Sequence, residues 1–371
     1  MALMEQLSAR AAALGVPLGV HIDLTWRCNE RCIHCYLDHD DPAELTLPEL
    51  RGLLDQMADS GVFFLTLSGG EIFLRKDLRE IVAHARSRAF DIKLKTNAIL
   101  IRERDAEWIR DLGVHQVQVS IYSHRAEVHD AITKVPGSLV RSVAALRMLR
   151  EQGVRTVIAC VLMTGNAGDY PGVQALAREL GAEFTMDPTI TPHLNGDRSI
   201  LALNVDQARL GEVFRDSTLV GDVGKFLSPS APVDDGVMEE TPCSAGHTSC
   251  YVSPHGDIYP CVQFPVVCGN VREAGFEEIW RNSARMREVR AIRVKDLTTC
   301  SGCGHAGSCT RCPGLAYMEG NMYGPSSADC EKSYVRTGVP SAAMVAGRVG
   351  GKPGGLVQIS TCSGQATSCA V

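Results

Sequence analysis

Between residues 18 and 190, short apolar runs alternate with amphipathic stretches, and that alternation leaves few folds open. LGVHIDL (18–24), VFFLTLS (62–68), DIKLKT (91–96), VHQVQVSI (114–121), TVIACVLM (156–163) and AEFTMDP (182–188) have the length and composition of strands. Helical patterns lie between them. Leu50, Leu53, Leu54 and Met57 recur at helical spacing behind Pro48 and a Thr46–Glu49 capping box. Leu78, Ile81, Val82 and Ala85 repeat the pattern, and further helices are expected around Trp108, from about Ser138 to Gln152, and over 170–180. Such a series of about six βα units builds a parallel sheet with outer helices, an α/β chain. The expected form is a partial (βα)6 barrel, whose ligands collect at the C-terminal strand ends.

The first strand runs straight into TWRCNERCIHCYLDH, where Cys28, Cys32 and Cys35 follow a C-x3-C-x2-C spacing. Thiolates so close repel one another unless a cation or cluster neutralises them. Structural zinc takes four ligands, in paired C-x2-C knuckles. Three cysteines with no fourth nearby suit a [4Fe–4S] cluster with one iron open to another ligand. The competing readings are buried free thiols, or zinc completed by His34 or His39. Gly69, Gly70 and Glu71 close the second strand. Glycines let backbone approach a ligand, and a carboxylate accepts bonds from an ammonium. Thr96 and Asn97 close the third strand and Ser120 the fourth, where a plain strand cap would explain any one of them alone.

The cysteines fall unevenly among the 371 residues: three near residue 30, then Cys160, then eleven from Cys243 onward. No charged and apolar leader of the secretory kind opens the sequence, so clustered cysteines read as metal ligands in a reducing compartment. A net charge of −6 gives no footprint for nucleic acid, and no apolar run is long enough to span a membrane. A cytoplasmic location is expected. The expected division is a core over 1–190, a turn-rich bridge over 191–240, a cysteine-rich module over 241–335 and a flexible Gly-rich tail over 336–371.

In these motifs the chain resembles the radical S-adenosylmethionine (SAM) superfamily, whose signature is C-x3-C-x-aromatic-C. Here His34 holds the aromatic position. The resemblance implies that Cys28, Cys32 and Cys35 bind a [4Fe–4S] cluster and that SAM chelates the open iron. It implies cleavage of SAM to methionine and a 5′-deoxyadenosyl radical. Gly69, Gly70 and Glu71 match the family's GGE contact to the methionine amino group, and Thr96, Asn97 and Ser120 its polar contacts to SAM. Many relatives carry an Arg near HDAI; this chain reads HDAITKV, with Lys134 there. A glycine-rich patch on the fifth strand, found in some relatives, is not evident in TVIACVLM.

PCSAGHTSCYVSPHGDIYPC (242–261) and CSGCGHAGSCTRCPG (300–314), followed by Cys330, resemble the SPASM extension of these enzymes, which binds two auxiliary [4Fe–4S] clusters. Gly269-Asn270 and a helix over EEIWRNSARMREVR fit the same module. The resemblance implies an outer cluster on Cys300, Cys303, Cys309 and Cys330. It implies an inner one on Cys243, Cys261 and Cys312, with Cys250 as fourth ligand and Cys268 as the alternative. Cys309 and Cys312 enclose two residues where the usual pattern has three, and zinc is the competing metal. Cys160 reads as plain core, and Cys362 and Cys369 as incidental.

Relatives of this architecture mostly mature ribosomally made peptides, as the pyrroloquinoline-quinone and mycofactocin maturases do. The expected substrate is therefore a precursor peptide that gains a C–C or thioether crosslink. The alternatives are haem-type porphyrin side-chain decarboxylation and formylglycine formation in a sulfatase. Formylglycine enzymes carry an Asp after YPC where this chain has Val262. A bare iron–sulfur electron carrier would have no need of GGE and Thr96-Asn97. The expected partners are a flavodoxin- or ferredoxin-type electron donor and, since only a short segment precedes the first strand, a separate leader-peptide recognition protein.

Overall fold

The computed structural model describes residues 3–37, 39, 43–228 and 235–349. A helix, α1 (Leu3–Leu14), precedes six parallel strands: β1 (Gly19–Thr25), β2 (Phe64–Gly69), β3 (Asp91–Thr96), β4 (Gln116–Ser120), β5 (Thr156–Val161) and β6 (Glu183–Asp187). The intervening helices are α2 (Leu47–Asp59), α3 (Leu78–Ser87), α4 (Glu103–Asp111), α5 (Ala126–Thr133), α6 (Ser138–Glu151) and α7 (Tyr170–Glu179). The sequence reading does not anticipate α1 or α5.

Sheet order is β6-β5-β4-β3-β2-β1-β7-β8-β9, where β7 (Ser249–Val252), β8 (Asp257–Tyr259) and β9 (Gly269–Asn270) belong to the cysteine-rich segment. β7 joins β1 in parallel, with Val20 opposite Cys250 and His21 opposite Tyr251. The two halves of the chain thus share one sheet. The strand order could not be read from the sequence, but it is the stepwise order of an open partial barrel.

One face of each strand packs on helices. Ile22, Leu24, Leu67, Ile92 and Leu94 are fully or almost fully buried there, against Leu54, Met57, Ile81, Val82 and Ile109. Each contributes about 1.5–3 kcal/mol through burial. The capping box at the start of α2 forms as the sequence implies, with the Glu49 amide donating to Thr46 Oγ1 and the Thr46 amide to Glu49 Oε2. The other strand face carries His21, Asp23, Thr66, Lys93, Lys95, Gln118 and Ser120 and lines the barrel interior.

Beyond β6 the chain differs from the sequence reading in three places. The stretch 191–240 contains short helices, among them Gln207–Val213. EEIWRNSARMREVR forms two helices, Phe276–Asn282 and Ala284–Ala291, because Ser283 leaves helical geometry and caps the second. The expected flexible tail begins too early: Ala343 and Val349 pack with Cys330. The rest of that tail, with Cys362 and Cys369, lies outside the described residues.

Candidate functional site: three groups of thiols around a polar barrel

β1 ends in a register break between Asp23 and Thr25, which turns the chain into the first cysteine loop. That loop is pinned from below by α5, through Arg31 and Ile33 amides donating to the carbonyls of Thr133 and Ile132. The Glu30 amide donates to Cys28 Sγ at 3.4 Å, and Cys32 Sγ to Glu30 Oε2 at 3.3 Å. His34 meets the Tyr122 ring edge-on at 4.7 Å. Glu30 Oε1 and His34 Nδ1 are buried and meet no partner. Burial, above all, pushes the Cys28 thiol up to about 12 and Cys32 higher still, with neighbouring carboxylates and thiols adding to it. Thiolates persist in such surroundings when a cationic cluster neutralises them, so the loop fits one.

The GGE turn serves this loop in a way the sequence did not reveal. Gly69 has φ +130°, and a Cβ there would stand 2.1 Å from the Thr25 carbonyl oxygen. A Cβ on Gly70 would stand 2.3 Å from the Arg27 carbonyl oxygen. The glycines let β2 close on the chain's own cysteine loop, and the Gly70 and Glu71 amides donate to those same two carbonyls. Glu71 is fully buried and accepts from Thr96 Oγ1 at 2.8 Å, the Asn97 amide at 2.9 Å and the Phe73 amide at 2.9 Å. Its carboxylate therefore fastens β2 to β3, and its pKa is raised by burial against the pull of those bonds. Asn97 Nδ2 continues the chain of contacts to Asn29 Oδ1 at 2.8 Å. Ser120, at the end of β4, bonds Tyr122. Lys134 is exposed, in a left-handed conformation that ends α5.

The later cysteines form two groups and a separate pair. Cys300, Cys303, Cys309 and Cys330 line one cavity of about 230 Å³, together with His305, Arg311 and Asp329. Ser333 Oγ donates to Cys309 Sγ at 3.4 Å, and the Ala342 amide to Cys303 Sγ at 3.5 Å. Donors aimed at sulfur around a four-thiol cavity fit a cluster. Cys312 stands at the N-cap of the helix Pro313–Met318, whose Gly314 lies against the Gln263 carbonyl; a Cβ there would be 2.1 Å from it. That close approach brings Cys312 into electrostatic contact with Cys243 and Cys261.

The expected fourth member of this inner group is placed elsewhere. Cys250 interacts first with Cys268, and both lie in the main core, whereas Cys243 and Cys261 pack in a small cluster of their own. Strand alternation is the reason: Tyr251 takes the barrel face of β7, which leaves Cys250 to the helices. Among the described residues no three His, Cys, Asp or Glu side chains converge on a single metal ion.

The barrel interior holds what the sequence reading missed. Asp23, fully buried, accepts from His21 Nε2 at 3.1 Å, Trp26 Nε1 at 3.3 Å and Tyr251 Oη at 2.8 Å. Tyr36 feels the charges of Asp23, Cys35 and Cys261 together, so this polar cluster lies between the first cysteine loop and the inner thiol group. The signal available in the sequence was the alternation of His21 and Asp23 in β1 and of Lys93 and Lys95 in β3.

Residues 22–170 match the radical SAM superfamily model, and residues 243–304 match SPASM, an iron–sulfur cluster-binding domain. The chain is a radical SAM enzyme. More narrowly, it belongs to those members that carry a SPASM domain, and its cofactors are SAM and iron–sulfur clusters, auxiliary ones included. It is 29% identical to an AdoMet-dependent heme synthase of Methanosarcina barkeri over 338 residues, covering 84% of this chain and 95% of the relative. It is 27% identical to the mycofactocin maturase MftC of Mycobacterium ulcerans over 345 residues, covering 89% and 91%. The fold is similar to that of Streptococcus suis SuiB bound to its precursor peptide SuiA, with TM-score 0.70 and 18% identity over 88% of this chain and 79% of SuiB.

Proposed function

We propose that this chain oxidatively modifies a ribosomally made precursor peptide, forming a C–C or thioether crosslink. The observation that carries the reading is the open barrel wall. β6 is the last strand of the sheet, and Glu183, Thr185 and Asp187 are exposed along it, so an extended chain can enter sideways toward Tyr36 and Cys261. Similarity to MftC and to the subtilosin biosynthesis protein AlbA of Bacillus subtilis supports a peptide substrate. Similarity to the heme synthase favours a second reading, decarboxylation of porphyrin side chains.

In this reading Cys28, Cys32 and Cys35 hold the SAM-binding cluster, which together with SAM supplies a 5′-deoxyadenosyl radical. Gly69, Gly70 and Glu71 shape the cysteine loop and the end of β3, while Thr96, Asn97 and Ser120 present polar groups at the strand ends where SAM binds. Cys300, Cys303, Cys309 and Cys330 hold the outer auxiliary cluster, and Cys243, Cys261 and Cys312 the inner one. The apolar shell of the barrel keeps water from the reacting carbon, and the polar interior orients the substrate. A flavodoxin- or ferredoxin-type donor, a leader-recognition protein and a cytoplasmic setting complete the proposal. Among the described residues no helix is long and apolar enough to cross a membrane.

The test is anaerobic incubation of the cluster-loaded enzyme with SAM, reductant and each candidate. Candidates are the short peptides encoded beside its gene and an iron porphyrin bearing propionates. Loss of two hydrogens from a peptide supports the proposal. Loss of carbon dioxide from the porphyrin, with peptides untouched, replaces it with the second reading.

A further inference from the structure

Lys95 is a half-buried cation without a partner among the described residues. It stands on the barrel face of β3, one residue before Thr96, and forms no hydrogen bond or ion pair among the described residues. Protein surrounds its side chain on most sides, yet it keeps some accessible surface because it faces the hollow of the barrel. An ammonium so placed is destabilised unless a counter-ion joins it.

The charges around it do not supply that counter-ion. Asp23 is the nearest carboxylate in effect, but its oxygens are taken by His21, Trp26 and Tyr251. Lys93, a second cation on the same strand face, opposes Lys95, and His21 faces it as well. Lys93 and Lys95 against Asp23 leave this part of the interior short of one negative charge. Cys261, a member of the inner thiol group, also lies close to Lys95. The deficit therefore lies between the first cysteine loop and the inner thiol group, where the reacting part of a substrate must sit.

We propose that Lys95 anchors a carboxylate of the substrate and so selects substrates that carry one near the reacting carbon. This rests on the reading of the barrel interior as the substrate site. Two sources share the chemistry, a peptide carboxylate and a porphyrin propionate. The anchor is a point charge with three donors and accepts either, and Gln118, opposite Lys95 on β4, adds a polar contact without charge.

The experiment uses the cluster-loaded enzyme with SAM bound. Lys95 is labelled by reductive methylation and read by mass spectrometry in the presence of four probes. These are pentapeptides randomised over residues other than Asp and Glu with free C-terminal carboxylates, the same pool amidated, mesoporphyrin, and its dimethyl ester. One acid probe is expected to lower Lys95 labelling several-fold while its amide or ester does not. Lys95→Met is expected to weaken binding of that acid at least tenfold, and Lys95→Arg to restore most of it. Iron content and thermal midpoint confirm that each variant is folded and loaded. Protection by acid and neutral forms alike, or by neither, overturns the proposal, as does a Lys95→Met loss that falls on SAM binding instead. Protection by the porphyrin acid alone would keep the anchor and sink the peptide reading. Modification of amidated peptides at an undiminished rate would keep the peptide and sink the anchor.

Discussion

The first cysteine loop and the C-terminal thiol groups do related chemistry in differently built surroundings. Cys28, Cys32 and Cys35 follow a strand whose neighbours β2 and β7 hold it on both sides, and the loop is tied to α5 and to the GGE turn. Its shape is set by sheet, helix and a buried carboxylate before any iron arrives. Cys300, Cys303 and Cys309 lie on turns around a cavity, with Cys330 on the helix Ser327–Thr337. A small apolar cluster holds that region, in which Cys330 packs with Ala343, Val349 and the partly buried Met344. The first site is a prepared socket, whereas the outer one depends on what it binds.

Removing iron should expose that difference most strongly. Anaerobic chelation should strip amide protection from residues 296–330 while β1 to β5 stay protected, as read by hydrogen exchange; equal loss in both would erase the contrast. Arg311 provides the next test. It is buried, donates to the Gly324 carbonyl, and sits in the field of Cys300, Cys312 and Cys243. Arg311→Gln removes a positive charge between the two auxiliary groups. Reduction should become harder at the auxiliary clusters and stay unchanged at the first one, in a potentiometric titration followed by electron paramagnetic resonance (EPR). A shift shared by all clusters would deny the arginine its local role.

Glu71→Gln addresses the socket. An amide offers one acceptor where the carboxylate serves Thr96, Asn97 and Phe73, so unfolding stability should drop by about 1–3 kcal/mol, measured in urea. SAM affinity should fall with it, because Asn97 loses its mooring. The smallest effect lies at the seam between the regions. Glu49 pairs with Arg272 and caps α2, which holds its carboxyl down at about 2. A folded value below the unfolded one means that the stability from this group is complete above about pH 4.5. It is lost as pH falls toward 2. Since the pair is about a third exposed, the loss should stay below about 1 kcal/mol and be absent in Glu49→Gln, in urea midpoints across that range.

Much of the fold was legible because apolar periodicity and turn chemistry are local. The six strands and the Thr46–Glu49 cap follow from residues close in sequence. The second face of each strand was not legible. Lys93 and Lys95 alternate with Ile92 and Leu94 as they would on a strand facing solvent, and only closure of the barrel turns that face inward. Cys250 misled for the same reason, since spacing cannot say which side of β7 it takes. GGE was recognised as a motif, but its contact with Thr25 and Arg27 depends on the pairing of β1 and β2. The helix Leu3–Leu14 escaped because its apolar residues, Leu3, Leu7 and Leu14, remain largely exposed.

The central claim is that SAM binds at the cluster of the first loop and at no other. EPR of the reduced, fully loaded enzyme with and without SAM tests it most directly. One signal should change on adding SAM, and that signal should be missing in the Cys28→Ala, Cys32→Ala, Cys35→Ala triple variant while the auxiliary signals remain. A SAM-dependent change that survives the triple variant would contradict the account.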